Sequence, residues 1–151
     1  MLGLRSDYLN ELSSYCLSNF QGVYPCDFLN LQKNGSYISN LSASSKPGSH
    51  YVSICVKNDY IIYFDPFGIE CSDIYIKLAF AKTNKPIYYV NQCIQDILST
   101  HCGYHCLAYL ISDFLSIPTA KFLSLYDKYK LLNNDEITVN IIDEFIKFKN
   151  S

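Results

Sequence analysis

Residues 50–56, HYVSICV, are apolar on both faces of an extended chain. Tyr51, Ser53 and Cys55 alternate with Val52, Ile54 and Val56, and successive side chains of a strand point to opposite sides. Such a strand needs cover on both faces. Residues 60–64, a β-branched and aromatic run, follow after the turn residues Asn58 and Asp59. Two runs so close together read as an antiparallel hairpin. Asp65, Pro66, Phe67 and Gly68 then end the second strand in a turn.

Around this hairpin the sequence predicts helices. Ser6 and Asp7 are placed to cap a first helix whose apolar positions Tyr8, Leu12, Tyr15 and Cys16 recur at helical spacing. Residues 20–31 are broken by Gly22 and Pro25 and read as irregular and partly buried, and residues 33–48 as the softest part of the chain, with a loop from Ser42 to Gly48. Ser72 is placed to cap a helix to about Ala81, and residues 87–92 form a third strand. From Cys102 the pattern is helical, with Cys106, Leu110 and Phe114 on the same side. Pro118 opens a further helix to about Lys130, and residues 135–149 are amphipathic with Ile137, Ile141, Phe145 and Phe148 on one stripe. The expected class is α+β, a small antiparallel sheet packed by helices, in one domain spanning residues 1–151.

Composition narrows the function. Only 17% of the 151 residues are charged, against about 25% in average soluble domains, which excludes disorder and coiled coil. Twelve basic against 14 acidic residues give a net charge of −2, so DNA binding is not expected. No apolar run approaches the roughly 18 residues that suggest a membrane span, and no membrane partner is expected. Residues 1–10 lack the long apolar stretch of a signal peptide. Seven cysteines are an odd number, and Cys16, Cys55 and Cys106 sit in apolar segments, so a reducing, intracellular setting is expected rather than a disulfide scaffold.

Four residues carry candidate chemistry. His50 starts one hairpin strand and Asp65 ends its partner, so their side chains are expected to be neighbours, and a carboxylate there would orient and charge the imidazole. Alone, the pair is also consistent with a surface histidine and a turn-forming aspartate. Cys102 precedes Gly103 at the start of a helix, with Ser99 or Thr100 available to cap. A thiol there has its thiolate favoured by the helix dipole, and the free amides suit an oxyanion. By itself Cys102 equally fits a small buried residue. Gln95 precedes it by seven positions and could aim its amide at the carbonyl under attack; Gln92 is the rival for that role.

Taken in order, GSHYVSI, then YFDPFG, then Gln-x6-Cys-Gly leading into HCGYHCLAYL resembles the adenovirus-type cysteine proteases, the adenain family, encoded by large DNA viruses and virus-like DNA transposons. GVYPCDFL is also similar to the stretch before the catalytic histidine of that group, so the resemblance spans residues 21–115. It implies a papain-like site with Cys102 as nucleophile, His50 as general base and acid, Asp65 as orienter and Gln95 as oxyanion donor. It implies cleavage of viral or virus-like precursor polypeptides near small residues such as Gly, in the host cell or packaged in the virion. Tyr51 stands where the family usually has Trp, and the chain is shorter than the adenoviral enzymes. Asp65 replaces the adenoviral Glu, as it does in other relatives.

Two other readings stay open. The related ubiquitin-like-protein (SUMO-type) proteases share the His, Asp, Gln, Cys order, though with Asp-Cys-Gly where this chain has His101-Cys102-Gly103. A structural zinc module could draw on Cys93, His101, Cys102, His105 and Cys106, but His101 and Cys102 are adjacent and no paired CxxC occurs. The protease reading needs no metal and no cofactor. Adenoviral relatives are activated by DNA and a disulfide-tethered peptide. An activating peptide remains open here, yet Cys93 lies too near Gln95 to match the tethering cysteine, so activity is expected without either.

Overall fold

The hairpin sits at the centre of a five-stranded sheet. The computed structural model describes residues 5–42 and 50–151. In it, β1 (Phe20–Pro25), β2 (Gly35–Asn40), β3 (Tyr51–Val56), β4 (Ile61–Phe64) and β5 (Ile87–Val90) lie in sequence order across the sheet. The three central strands are antiparallel, while β1 joins β2 and β5 joins β4 in parallel. The sheet is therefore mixed, with parallel edges around the antiparallel centre that the sequence predicts.

Strand β3 is buried along its whole length and divides two cores. Tyr51 and Cys55 face α1 (Ser6–Cys16), α3 (Cys102–Phe114), α4 (Thr119–Ser124) and α5 (Asn134–Asn150). Val52, Ile54 and Val56 face Ile76, Ala79 and Phe80 of α2 (Ile74–Thr83). Burying a Val or Ile contributes about 1.5–3 kcal/mol, and a one-residue slip would exchange the two faces of β3, so its register is strongly specified.

Three expectations are corrected. Residues 20–25 and 35–40, read as irregular and loop, are strands, and β2 is buried between its neighbours. Ser36, Ser39 and Asn40 dilute its apolar pattern, yet they are buried; Ser36 Oγ donates to Asn19 Oδ1 at 3.4 Å. The loop expected over residues 42–48 lies largely outside the described residues, as do Gly48 and Ser49. Asp73, rather than Ser72, caps α2 by accepting the Ile76 N–H at 2.9 Å. The helix expected to reach Lys130 stops at Ser124, because Asp127 draws the Tyr129 and Lys130 amides to its own carboxylate at 2.8 and 2.9 Å, a turn that competes with helix.

Candidate active site

The register of β3 on β4 pairs Ser53 with Phe64, so the start of one strand adjoins the end of the other. His50 precedes β3 and Asp65 follows β4, and His50 Nε2 lies 2.8 Å from Asp65 Oδ1. The same oxygen accepts the Phe67 N–H at 2.8 Å, and the Asp65 carbonyl accepts the Gly68 N–H at 2.7 Å. The Phe67 ring stacks on the imidazole, centroids 4.7 Å apart and planes at 22°. Asp65 is buried and His50 mostly so. The turn therefore orients the imidazole with both a carboxylate and an aromatic face.

Burial alone would lower the basicity of His50. Hydrogen bonds with Asp65 and Cys102, and their charge, outweigh it and raise the imidazole from 6.5 to about 9. At neutral pH the ring is then cationic. Asp65 takes Nε2, which leaves Nδ1 for the thiol.

Cys102 is the first residue of α3 and is buried, only 7% exposed. No side chain caps this helix among the described residues. Ser99, expected as a cap, instead accepts the His101 N–H on its Oγ at 3.0 Å. The first-turn amides beside Cys102 thus stay free of a capping side chain, the state an anion-binding helix start needs. The remaining cysteines are also unpaired. Burial pushes the fully buried Cys55 and Cys106 thiols far up, which leaves them unreactive.

Gln95 is tied to the same turn that holds His50. The Pro66 carbonyl accepts the Ile94 and Gln95 amides at 2.9 and 3.1 Å. Gly68, at φ 72°, lies so close that a Cβ would come within 2.7 Å of the Cys93 nitrogen. Gln95 is 2% exposed. Its Nε2 donates one N–H to the Ser99 carbonyl at 3.1 Å and keeps a second, while Oε1 has no partner among the described residues. The rival Gln92 is half-buried with an unpartnered Nε2, so orphaned amide atoms alone do not separate the two. Of the two, only Gln95 has its backbone amide bonded to the Pro66 carbonyl, although the Gly68 end of the turn also abuts the Gln92 carbonyl.

His101 and His105 pack against Asp135 of α5. His105 commits both ring nitrogens, one to Thr138 Oγ1 at 2.7 Å and one to Asp135 at 3.0 Å. Among the described residues no three His, Cys, Asp or Glu side chains are grouped to hold a metal ion. Phe67 and Asp135 both reach the residues of the site, and the sequence analysis assigned neither. The available signals were an aromatic inside the strand-ending turn and two histidines four apart on one helix face.

No family profile matches the sequence, and no curated protein matches it significantly. Solved structures do match the fold. The ASFV pS273R protease superposes with a TM-score of 0.56 at 13% identity, covering 91% of this chain and 66% of that one. A selenomethionine form of the same protease gives 0.53 at 14%, with the same coverage. The SUMO protease Ulp1, its catalytic cysteine oxidised to a sulfenic acid, gives 0.54 at 10%, covering 95% of this chain and 79% of that one. The chain thus spans just under two thirds of the length of the ASFV protease. Its architecture is the α+β fold of the adenain-like and Ulp-type cysteine proteases.

Proposed function

We propose that this chain is a cysteine endopeptidase that processes precursor polypeptides of a virus or virus-like element. The observation that carries the reading is the 2.8 Å pair of His50 and Asp65, joined to Cys102 at an uncapped helix start. In the resting ion pair His50 Nδ1 already holds the proton given up by the thiol, and the thiolate attacks the scissile carbonyl carbon. The carbonyl oxygen gathers the negative charge and accepts the second Gln95 N–H and the Cys102 amide. The C–N bond then breaks as imidazolium gives its proton to the leaving amine. Neutral His50 next deprotonates a water that attacks the thioester, releasing the acid and restoring the thiol. Asp65 keeps the imidazole oriented through the cycle and stabilises its positive charge whenever it holds the extra proton.

A second reading, a SUMO-type protease, is favoured by the coverage of Ulp1, 95% of this chain and 79% of that one. One experiment separates them. The protein is incubated in parallel with the capsid and core precursors encoded beside its gene and with a SUMO fusion, and new termini are read by mass spectrometry. Cleavage of the precursors at a recurrent short motif supports processing. Cleavage of the fusion alone replaces it with the second reading.

A further inference from the structure

Asp135, in the first turn of α5, reaches across to the segment that carries both oxyanion donors. We propose that Asp135 is a positioning residue for the oxyanion side of the site, holding Gln95 and the first turn of α3 through Ser99, His101 and His105. The inference rests on the cysteine-protease reading above.

The Asp135 carboxylate meets three partners. Oδ1 accepts the Ser99 hydroxyl at 2.8 Å and His105 Nε2 at 3.0 Å, and Oδ2 lies 3.4 Å from His101 Nδ1. They bracket Cys102 on both sides in sequence. A carboxylate only accepts, which fixes the polarity behind it. His105 Nε2–H donates to Asp135, so Nδ1 accepts the Thr138 hydroxyl, which in turn accepts the Tyr126 O–H, each at 2.7 Å. His105 is fully buried, and burial pushes it down to about 4 despite Asp135, keeping this neutral form.

Ahead of the carboxylate, Ser99 works in both directions. Its Oγ–H is given to Asp135, its Oγ accepts the His101 amide at 3.0 Å, and its carbonyl accepts the Gln95 N–H at 3.1 Å. The preceding residue of α5 makes a parallel clamp, with Asn134 Nδ2 donating to the Ile94 carbonyl at 2.9 Å. Two successive α5 residues therefore grip the segment that aims Gln95, and one of them also grips the helix start that presents the Cys102 amide. Chains of satisfied buried hydrogen bonds polarise one another and specify one arrangement.

The test is a double-variant cycle read on a fluorogenic peptide ending in Gly-Gly-aminomethylcoumarin, beside iodoacetamide labelling of Cys102. Labelling needs the thiolate but develops no oxyanion. Asp135→Ala should lower kcat about 10- to 100-fold, the scale of a small misplacement, with KM and the labelling rate nearly unchanged. Asp135→Asn, which keeps an oxygen for Ser99 and His105, should restore most of the loss. Gln95→Ala with Asp135→Ala should be slower than Gln95→Ala alone by clearly less than the Asp135→Ala factor, because part of the Asp135 effect passes through Gln95. If Asp135→Ala does not fold, Ser99→Ala, which deletes only the hydroxyl, takes its place in the cycle. An active wild type with additive losses, or with labelling lost in parallel with kcat, overturns the inference alone. A wild type that does not cleave overturns the protease reading together with it.

Discussion

Two histidine–aspartate pairs flank Cys102, and the fold holds them in opposite states. His50 and Asp65 are 2.8 Å apart, and His105 and Asp135 are 3.0 Å apart. The first imidazole is raised to about 9 and the second lowered to about 4. A neighbouring carboxylate therefore does not decide the charge. His105 is fully buried inside α3, where the cost of desolvating a cation exceeds what Asp135 returns. His50 keeps a 14% exposed side chain and adds a hydrogen bond with Cys102. Asp135 also accepts the Ser99 hydroxyl, whereas Asp65 accepts the Phe67 backbone N–H of its own turn. One pair is suited to exchange a proton, the other to keep one in place.

The comparison breaks most easily at the proposed nucleophile and its proposed base. Cys102→Ala should abolish turnover. His50→Ala should cost a factor of about 10²–10⁴ from lost acid–base catalysis alone and approach the Cys102 variant, since the two act as a unit. His105→Gln should lose far less activity while lowering the melting temperature. Steady-state rates of the three variants check the order, and a His105 variant as inactive as the His50 variant would reverse the assignment.

On the oxyanion side, Gln95→Ala should reduce kcat by about 10²–10³, the effect of removing one such donor, and Gln92→Ala should do little. The same peptide assay reads both. The opposite order would move the donor to Gln92.

The smallest effect is on stability, and it has two limbs. His50 binds its proton more tightly folded than unfolded, so its contribution is full below pH 6.5 and is lost as pH rises through about 9. His105 binds its proton less tightly folded, so stability falls as pH drops from 6.5 toward about 4. Urea midpoints across this range should show His50→Ala flattening the alkaline limb and His105→Gln the acid limb. Identical profiles for the two variants would mean that the histidines are not held in opposite states.

The meeting of His50 and Asp65 was legible because it depends on strand alternation and a strand-ending turn, both short-range signals in residues 50–68. Strand β2 was not, because Ser36, Ser39 and Asn40 interrupt its apolar pattern, and the partner that satisfies Ser36, Asn19, lies 17 residues away. The same holds for Asp135. Its role depends on where α5 docks on α3, and locally it reads only as an acidic residue favourable in a first helical turn. His105 was visible only as a ligand type, because its actual partners, Thr138 and Asp135, lie 30 or more residues away.

The turn from Asp65 to Gly68 touches both sides of the proposed reaction. Asp65 and Phe67 hold the imidazole, the Pro66 carbonyl holds the Gln95 amide, and Gly68 abuts the chain beside Cys93. His50 and Gln95, the proposed base and oxyanion donor, are therefore bolted to one bracket. A fluctuation of the bracket displaces both in common mode, so the spacing between them varies less than the position of either. The tolerance that matters for catalysis is relative, and this geometry protects it without requiring the surrounding surface to be rigid. It also means that an insertion within these four positions would misplace both partners at once, leaving no half-working intermediate from which a sequence could recover step by step.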